Sequence, residues 1–212
     1  MLNNNSRRII RWQAVVCVAL AGIALTGCAS RRSSSIAVYD FGPGALVSTP
    51  QTRMAPLSTL ALPAVQTTRA LDTTALYYRL YYKDAQQPIP YAQARWSMPV
   101  GELIDQKLRN QLGQRRSLIN PDDNLQLGKE VRILHLQLEE FSQVFEAPEK
   151  STGLLKIRAT LSEPQGKGAR LLAQRSFMVQ HPSPTPDASG GVRALSAAVE
   201  TLGVELEEWL LQ

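Results

Sequence analysis

The sequence predicts a mixed α/β (α+β) domain: one curved, mainly antiparallel sheet with two principal helices packed on one face. Three observations lead there. Four segments, near 76–83, 131–141, 154–161 and 171–179, alternate apolar and polar residues with a period of two, as half-buried strands do. Two stretches, 99–112 and 192–211, instead repeat apolar residues at three- and four-residue spacing, the mark of an amphipathic helix. The last three strands follow one another with short turns, which favours antiparallel hairpins wet on one side. A sheet with one apolar face needs a helical cover.

Taken in order, residues 1–27 read as a targeting segment. Arg7, Arg8 and Arg11 precede an apolar run from Ala14 to Leu25, too short to span a bilayer. The run ends in Leu25-Thr26-Gly27-Cys28, which looks like a bacterial lipobox, with small residues before a cysteine that is acylated. A plain secretory peptide containing a cysteine is the alternative. Residues 28–35 are then a lipidated tether and 36–212 the folded domain. Cys17 lies in the removed run, so a mature chain beginning at Cys28 has no disulfide. Lipoprotein maturation adds two or three acyl chains, which suffices for stable anchoring. Ala29 is not the aspartate that often retains lipoproteins in the inner membrane, so attachment to the outer membrane, facing the periplasm, is expected.

The formal charge of +5 overstates the domain's basicity. Without Arg7, Arg8 and Arg11, the 23 basic residues fall to 20 against 18 acidic, a net +2. No basic stripe appears, which excludes a nucleic-acid footprint. A hydrophobic fraction of 44% and a charged fraction of 19% are those of an ordinary globular chain long enough for a real core.

Ile36 to Phe41 reads as a first strand, with Ile36, Val38 and Asp40 sharing a face. Gly42 to Pro56 reads as a loop, and Leu57 to Leu62 as a second strand. Five of the six tyrosines then crowd into Tyr77–Tyr91. On a pleat, Leu76, Tyr78, Leu80 and Tyr82 share one face and Tyr77, Arg79, Tyr81 and Lys83 the other. The first face is expected to be buried. The second is either core under a helix or an exposed contact surface; exposed Tyr and Arg are enriched at the centres of protein interfaces. Asp84 to Pro90 reads as a polar, proline-bearing loop. Ser97, Pro99 and Glu102 signal a helix start, Val100, Leu103, Ile104, Leu108 and Leu112 its apolar stripe, and Gly113 its stop. Arg115 to Gly128 reads as a polar connection.

Downstream, Val131–Phe141, Leu154–Leu161 and Leu171–Val179 are strands, and Pro182 to Gly191 a loop. Val192, Leu195, Val199, Leu202, Leu206 and Trp209 form the second helical stripe. Gly203 inside it implies close approach of some other group, since glycine there costs about 1 kcal/mol against alanine.

Residues suited to catalysis are few. His135 and His181 are the two histidines, too few for a structural zinc site. No nucleophile elbow, phosphate loop or dinucleotide fingerprint occurs. Glu139 and Glu140 are adjacent on a strand, so they are expected to face opposite ways and to form no dyad. No catalytic residue, metal or cofactor is expected.

The run ALYYRLYYKDAQQPIPYAQARWSMPVGELIDQKL resembles the ABC-type transport auxiliary lipoproteins, the PqiC-like family. Tyr78-Arg79, Arg95-Trp96 and Pro99 fit its pattern, as do Tyr39-Asp40-Phe41, LEEFSQVF (Leu138 to Phe145) and DASGGVRAL (Asp187 to Leu195). The resemblance implies the auxiliary lipoprotein of an ABC-linked system in intermembrane phospholipid traffic. Its partner would be a periplasmic Mce-domain protein, docked through Tyr77, Arg79, Tyr81 and Lys83, with the membrane held through Cys28. Homo-oligomerisation stays open. A ligand- or polymer-binding lipoprotein unconnected to a transporter is the competing reading, and a periplasmic hydrolase a remote third.

Overall fold

The computed structural model describes residues 35–43, 57–121, 131–166 and 168–212. Its elements are β1 (Ala37–Tyr39), β2 (Leu57–Ala61), β3 (Ala75–Leu80), β4 (Asp84–Trp96), α1 (Val100–Leu112), β5 (Arg116–Ile119), β6 (Arg132–Ala147), β7 (Lys150–Gln165), β8 (Gly168–Pro182) and α2 (Ala188–Leu210). The elements fall within one compact unit, Ile36–Gln212. Among the described residues no helix is long and apolar enough to cross a membrane.

The 16-residue β6 is the spine of the sheet. One of its edges pairs with β7 along nearly its whole length, antiparallel, and β7 pairs with β8 the same way. Three stretches share the other edge in relay. β2 covers Arg132 and Ile133, Gln66 bridges Gln137, and β3 covers Gln143 to Phe145, all parallel. The Gln66 backbone accepts from Leu138 N at 2.8 Å and donates to Leu136 O at 2.9 Å, so the ladder continues where no strand lies. β4 folds back on β3, β1 joins the end of β4 in parallel, and β5 runs parallel to β2.

The expectation of a mainly antiparallel sheet is therefore corrected to a mixed one. Among the described strand pairs four are parallel and three antiparallel. Alternation reports which face of a strand is buried but not which way its neighbour runs. The short-turn argument holds only for the β6–β7–β8 meander. β5, paired parallel to β2, lies in what reads as a polar connection, because its pairing is set far along the chain.

Both helices cover one face, where a single apolar cluster joins them to the sheet. Leu134, Leu136 and Leu138 of β6, Leu155, Ile157 and Ala159 of β7, and Phe177 and Val179 of β8 point into it. Leu103, Ile104, Leu108 and Leu112 of α1 and Leu195, Val199, Leu202 and Leu206 of α2 close it. Each fully buried leucine contributes roughly 1.5–3 kcal/mol relative to exposure. The Arg116 guanidinium, its side chain 4% exposed, ties β5 to α2 through a bidentate pair with Glu207 at 2.8 and 3.2 Å. Gly203 is explained: a Cβ there would stand 2.2 Å from Gln111 Oε1, so the glycine lets α1 approach α2.

Local differences have local causes. α1 begins at Val100 with Pro99 as its cap and no side-chain bond, so Ser97 is not the cap; its backbone N–H donates to Tyr39 O at 2.7 Å. α2 starts at Ala188, inside the expected loop, because Asp187 Oδ1 accepts from Gly190 N at 2.7 Å. In and beside β1, Ile36 and Val38 are exposed, and Tyr39 and Phe41 pack on the core instead.

Candidate partner-binding surface

The expected loop from Asp84 to Pro90 is strand, forming a hairpin with β3. Pro88 and Pro90 suggest a loop because proline cannot donate to a ladder. They are tolerated because β1 pairs only with Ala94–Trp96 and leaves this part of β4 an edge. The hairpin turn is therefore at Tyr81–Lys83: β3 ends at Leu80, and Lys83 N donates to Leu80 O at 2.8 Å.

This divides the four proposed contact residues. Tyr77 and Arg79 lie on β3, half-buried, while Tyr81 and Lys83 are exposed at the tip. Tyr82, expected to be buried with Leu76, is exposed beside Tyr81, at 42% and 47%, because both lie in the turn rather than on the pleat. The Lys83 ammonium stands 5.8 Å from the Tyr82 ring centre, a cation–π contact. Tyr81 N donates to Phe145 O at 2.9 Å, anchoring the tip beside the end of β6.

Arg79 is a cross-link rather than a free guanidinium. Its Nη2 lies 2.8 Å from Glu140 Oε2 and its Nε 3.4 Å from Oε1, while Nη1 donates to Ala85 O and Gln86 O at 3.1 and 3.2 Å. Side-chain exposures of 19% and 18% place the pair partly out of water. Arg79 thereby pins β4 to β3 and both to β6.

Glu140 is the neighbour of Arg79 that sequence reasoning missed, and a bulge is the reason. The β6–β7 register shifts between Leu138 and Glu140, so inward parity passes from Leu134, Leu136 and Leu138 to Phe141. Glu139 and Glu140 consequently both reach cations away from the helices, Glu139 meeting Arg158 at 2.5 Å. The expected opposite facing of this acidic pair is overturned, and each carboxylate has its own arginine.

The opposite face of β3 is aromatic. Tyr78 packs on Tyr91 at 4.7 Å and on Phe145 at 5.9 Å between ring centres. The Tyr91 hydroxyl donates to Gln143 Oε1 at 2.7 Å, and the fully buried Gln143 donates onward to Ser151 Oγ at 2.8 Å. Burial pushes the Tyr91 phenol well above its ordinary range, with Tyr78 and Asp187 adding to the shift, so it stays a neutral donor. Tyr91 also borders a cleft of about 370 Å³ shared with Tyr39, Gln93, Asp187 and Ser189.

Cys28 lies outside the described residues. His135 is exposed on β6, and His181 Nε2 lies 2.8 Å from Thr201 Oγ1. Among the described residues no three His, Cys, Asp or Glu side chains gather around a common point.

Comparison with known proteins gives both a family and a fold. A family model described as "ABC-type transport auxiliary lipoprotein component" matches residues 39–207. The crystal structure of protein XCC0632 from Xanthomonas campestris, of the family DUF330, superposes with a TM-score of 0.65 at 17% identity, covering 82% of this chain and 94% of its own. The crystal structure of an uncharacterized protein superposes with a TM-score of 0.60 at 13% identity, covering 83% and 99%. At those identities the likeness is one of fold. No curated protein matches.

Proposed function

Because the chain belongs to the family of ABC-type transport auxiliary lipoprotein components, we propose that it is the outer-membrane-anchored periplasmic member of an ABC/Mce-type system. In this reading it docks a periplasmic Mce-domain protein so that phospholipid, or another hydrophobic molecule, crosses between membranes. The role is docking rather than catalysis, and the anchor is acylated Cys28. The family match over residues 39–207, downstream of Leu25-Thr26-Gly27-Cys28, is the observation that carries the reading.

The contact patch is the β3–β4 hairpin: Tyr81 and Lys83 as the touching side chains, Tyr77 beside them, and Arg79 holding the tip through Glu140. Amphipathic tyrosines on a tip tied by 2.8–2.9 Å bonds can bind without a large ordering cost. Affinity capture of the Mce-domain protein by the mature chain tests the docking, and mass spectrometry of its N-terminus tests the anchor. Tyr81→Ala with Lys83→Ala should weaken capture at least thirtyfold if the tip is a hot spot. Undiminished capture by that folded variant removes the tip, and no capture by the parent chain removes the docking reading.

A further inference from the structure

Among the described residues β8 pairs with β7 alone, so its outer edge is an open ladder of backbone donors and acceptors. Sheets commonly blunt such edges with short strands, prolines, bulges or charged side chains. The other strands that end this sheet are blunted: β1 has three residues and β5 four. β8 has 15, with proline only at its last position. Its pairing with β7 runs without a register shift from Pro182 to Ala173, so the strand is regular where it is open. Gln174, Ser176, Met178 and Gln180 are exposed along it.

We propose that this edge receives an extended strand with acidic side chains from the transport partner, continuing the sheet by one strand. An open ladder recognises an extended backbone and little else. The side chains decide whose backbone it is. β8 contains no acid; its Arg170 is held by Glu163 of β7 at 2.7 Å, while Arg175 lies over the Phe177 ring at 4.7 Å with no carboxylate paired to it among the described residues. Arg175 is the midpoint of Gly168–Pro182, so two copies pairing antiparallel about that midpoint set Arg175 against Arg175, and like charges directly opposite destabilise a pair. A strand with a carboxylate at that position gains instead. The edge also ends at the same end of the sheet as the proposed tip, with β7 and β6 between them. Pro182 pairs with Thr152, Phe145 with Ser151, and Phe145 O accepts from Tyr81 N, so one partner can meet both surfaces.

The inference rests on the docking reading and is separable from it. The probe is the purified periplasmic domain of the Mce-domain partner, added to the mature chain, with hydrogen exchange followed along β8. The outward-facing amides of residues 172–180 should slow at least tenfold at saturation, and Arg175→Glu should weaken binding about tenfold while lowering the melting temperature by no more than a few degrees, through loss of its cation–π contact with Phe177. Binding that leaves β8 exchange unchanged overturns the edge while the docking reading stands. Protection of β8 with undiminished affinity of a folded Arg175→Glu overturns the acidic strand. Absence of any binding overturns both.

Discussion

The Arg79 guanidinium, on β3, lies 2.8 Å from the Glu140 carboxylate at the bulge of β6, 61 residues along the chain. Removing Arg79 leaves that carboxylate, 18% exposed, without its cation, and frees the carbonyls of Ala85 and Gln86. A hydrogen bond to a charged group is worth about 1.5–3 kcal/mol. Arg79→Ala should therefore lower the melting temperature by roughly 3–10 °C. Tyr81→Ala, at an exposed turn position, should leave it nearly unchanged. Thermal melts of the two variants separate the roles: equal melting temperatures would mean that the cross-link contributes nothing and that Arg79 is free for contact.

Leu195 and Leu206 are both 0% exposed, one near each end of the buried stripe of α2. An aspartate at either position places an unpaired carboxylate among leucines, at a cost of several kcal/mol even after its pKa rises. Leu195→Asp and Leu206→Asp should each unfold the domain or broaden its transition. Parent-like melting of both in circular dichroism would detach α2 from the core.

The helical stripes were legible because every apolar residue in them meets the same cluster. Val100, Leu103, Ile104, Leu108, Leu112, Val192, Leu195, Val199, Leu202 and Leu206 are all buried. The meander was legible too, because Leu134, Leu136, Leu138, Leu155 and Ile157 keep the pleat's parity. What was not legible depends on pairing at a distance. Nothing in Ser117-Leu118-Ile119 says that β2 lies alongside, and nothing in Glu139-Glu140 announces a bulge. Pro88 and Pro90 read as breakers until the neighbouring edge is known to be free. The contact surface shares that limit, since alternation carries the pleat on to Lys83, three residues past the end of β3 at Leu80, and so puts Tyr82 on the wrong side.

Glycines at two helix contacts should respond differently to alanine. At Gly153 a Cβ would stand 2.8 Å from the backbone of Ala194 and Leu195, where neither β7 nor α2 can yield without repacking. At Gly203 the obstacle is the far end of the flexible Gln111 side chain, which can rotate away at the loss of its 3.1 Å bond to Glu200 O. Alanine also returns about 1 kcal/mol of helix propensity at Gly203. Gly153→Ala should therefore destabilise by roughly 1–3 kcal/mol, in the range of overpacking, and Gly203→Ala by less than 1 kcal/mol. Chemical denaturation of both variants checks the order, and the reverse ranking would contradict the close β7–α2 contact.

Asp187 gives the fold an acid-sensitive point. Its carboxylate accepts from Gly190 N at 2.7 Å and from Thr185 Oγ1 at 2.9 Å, and these bonds hold its pKa below the ordinary 3.8, the Gly190 amide being the larger cause. A carboxylate depressed in the folded state adds stability above its unfolded pKa and loses it as pH falls through the folded one. The cap's contribution is thus complete at pH 6, begins to fade near pH 4 and is gone below the depressed value. Asp187→Ala should cost about 1 kcal/mol at pH 6, the usual loss of an N-cap. The gap in melting temperature between parent and variant should then narrow steadily from pH 4 to pH 2. A gap that stays constant over that range would show that the carboxylate's charge has no part in starting α2, and that the backbone turn at Thr185–Asp187 suffices to set the helix beside Tyr91 and Gln143.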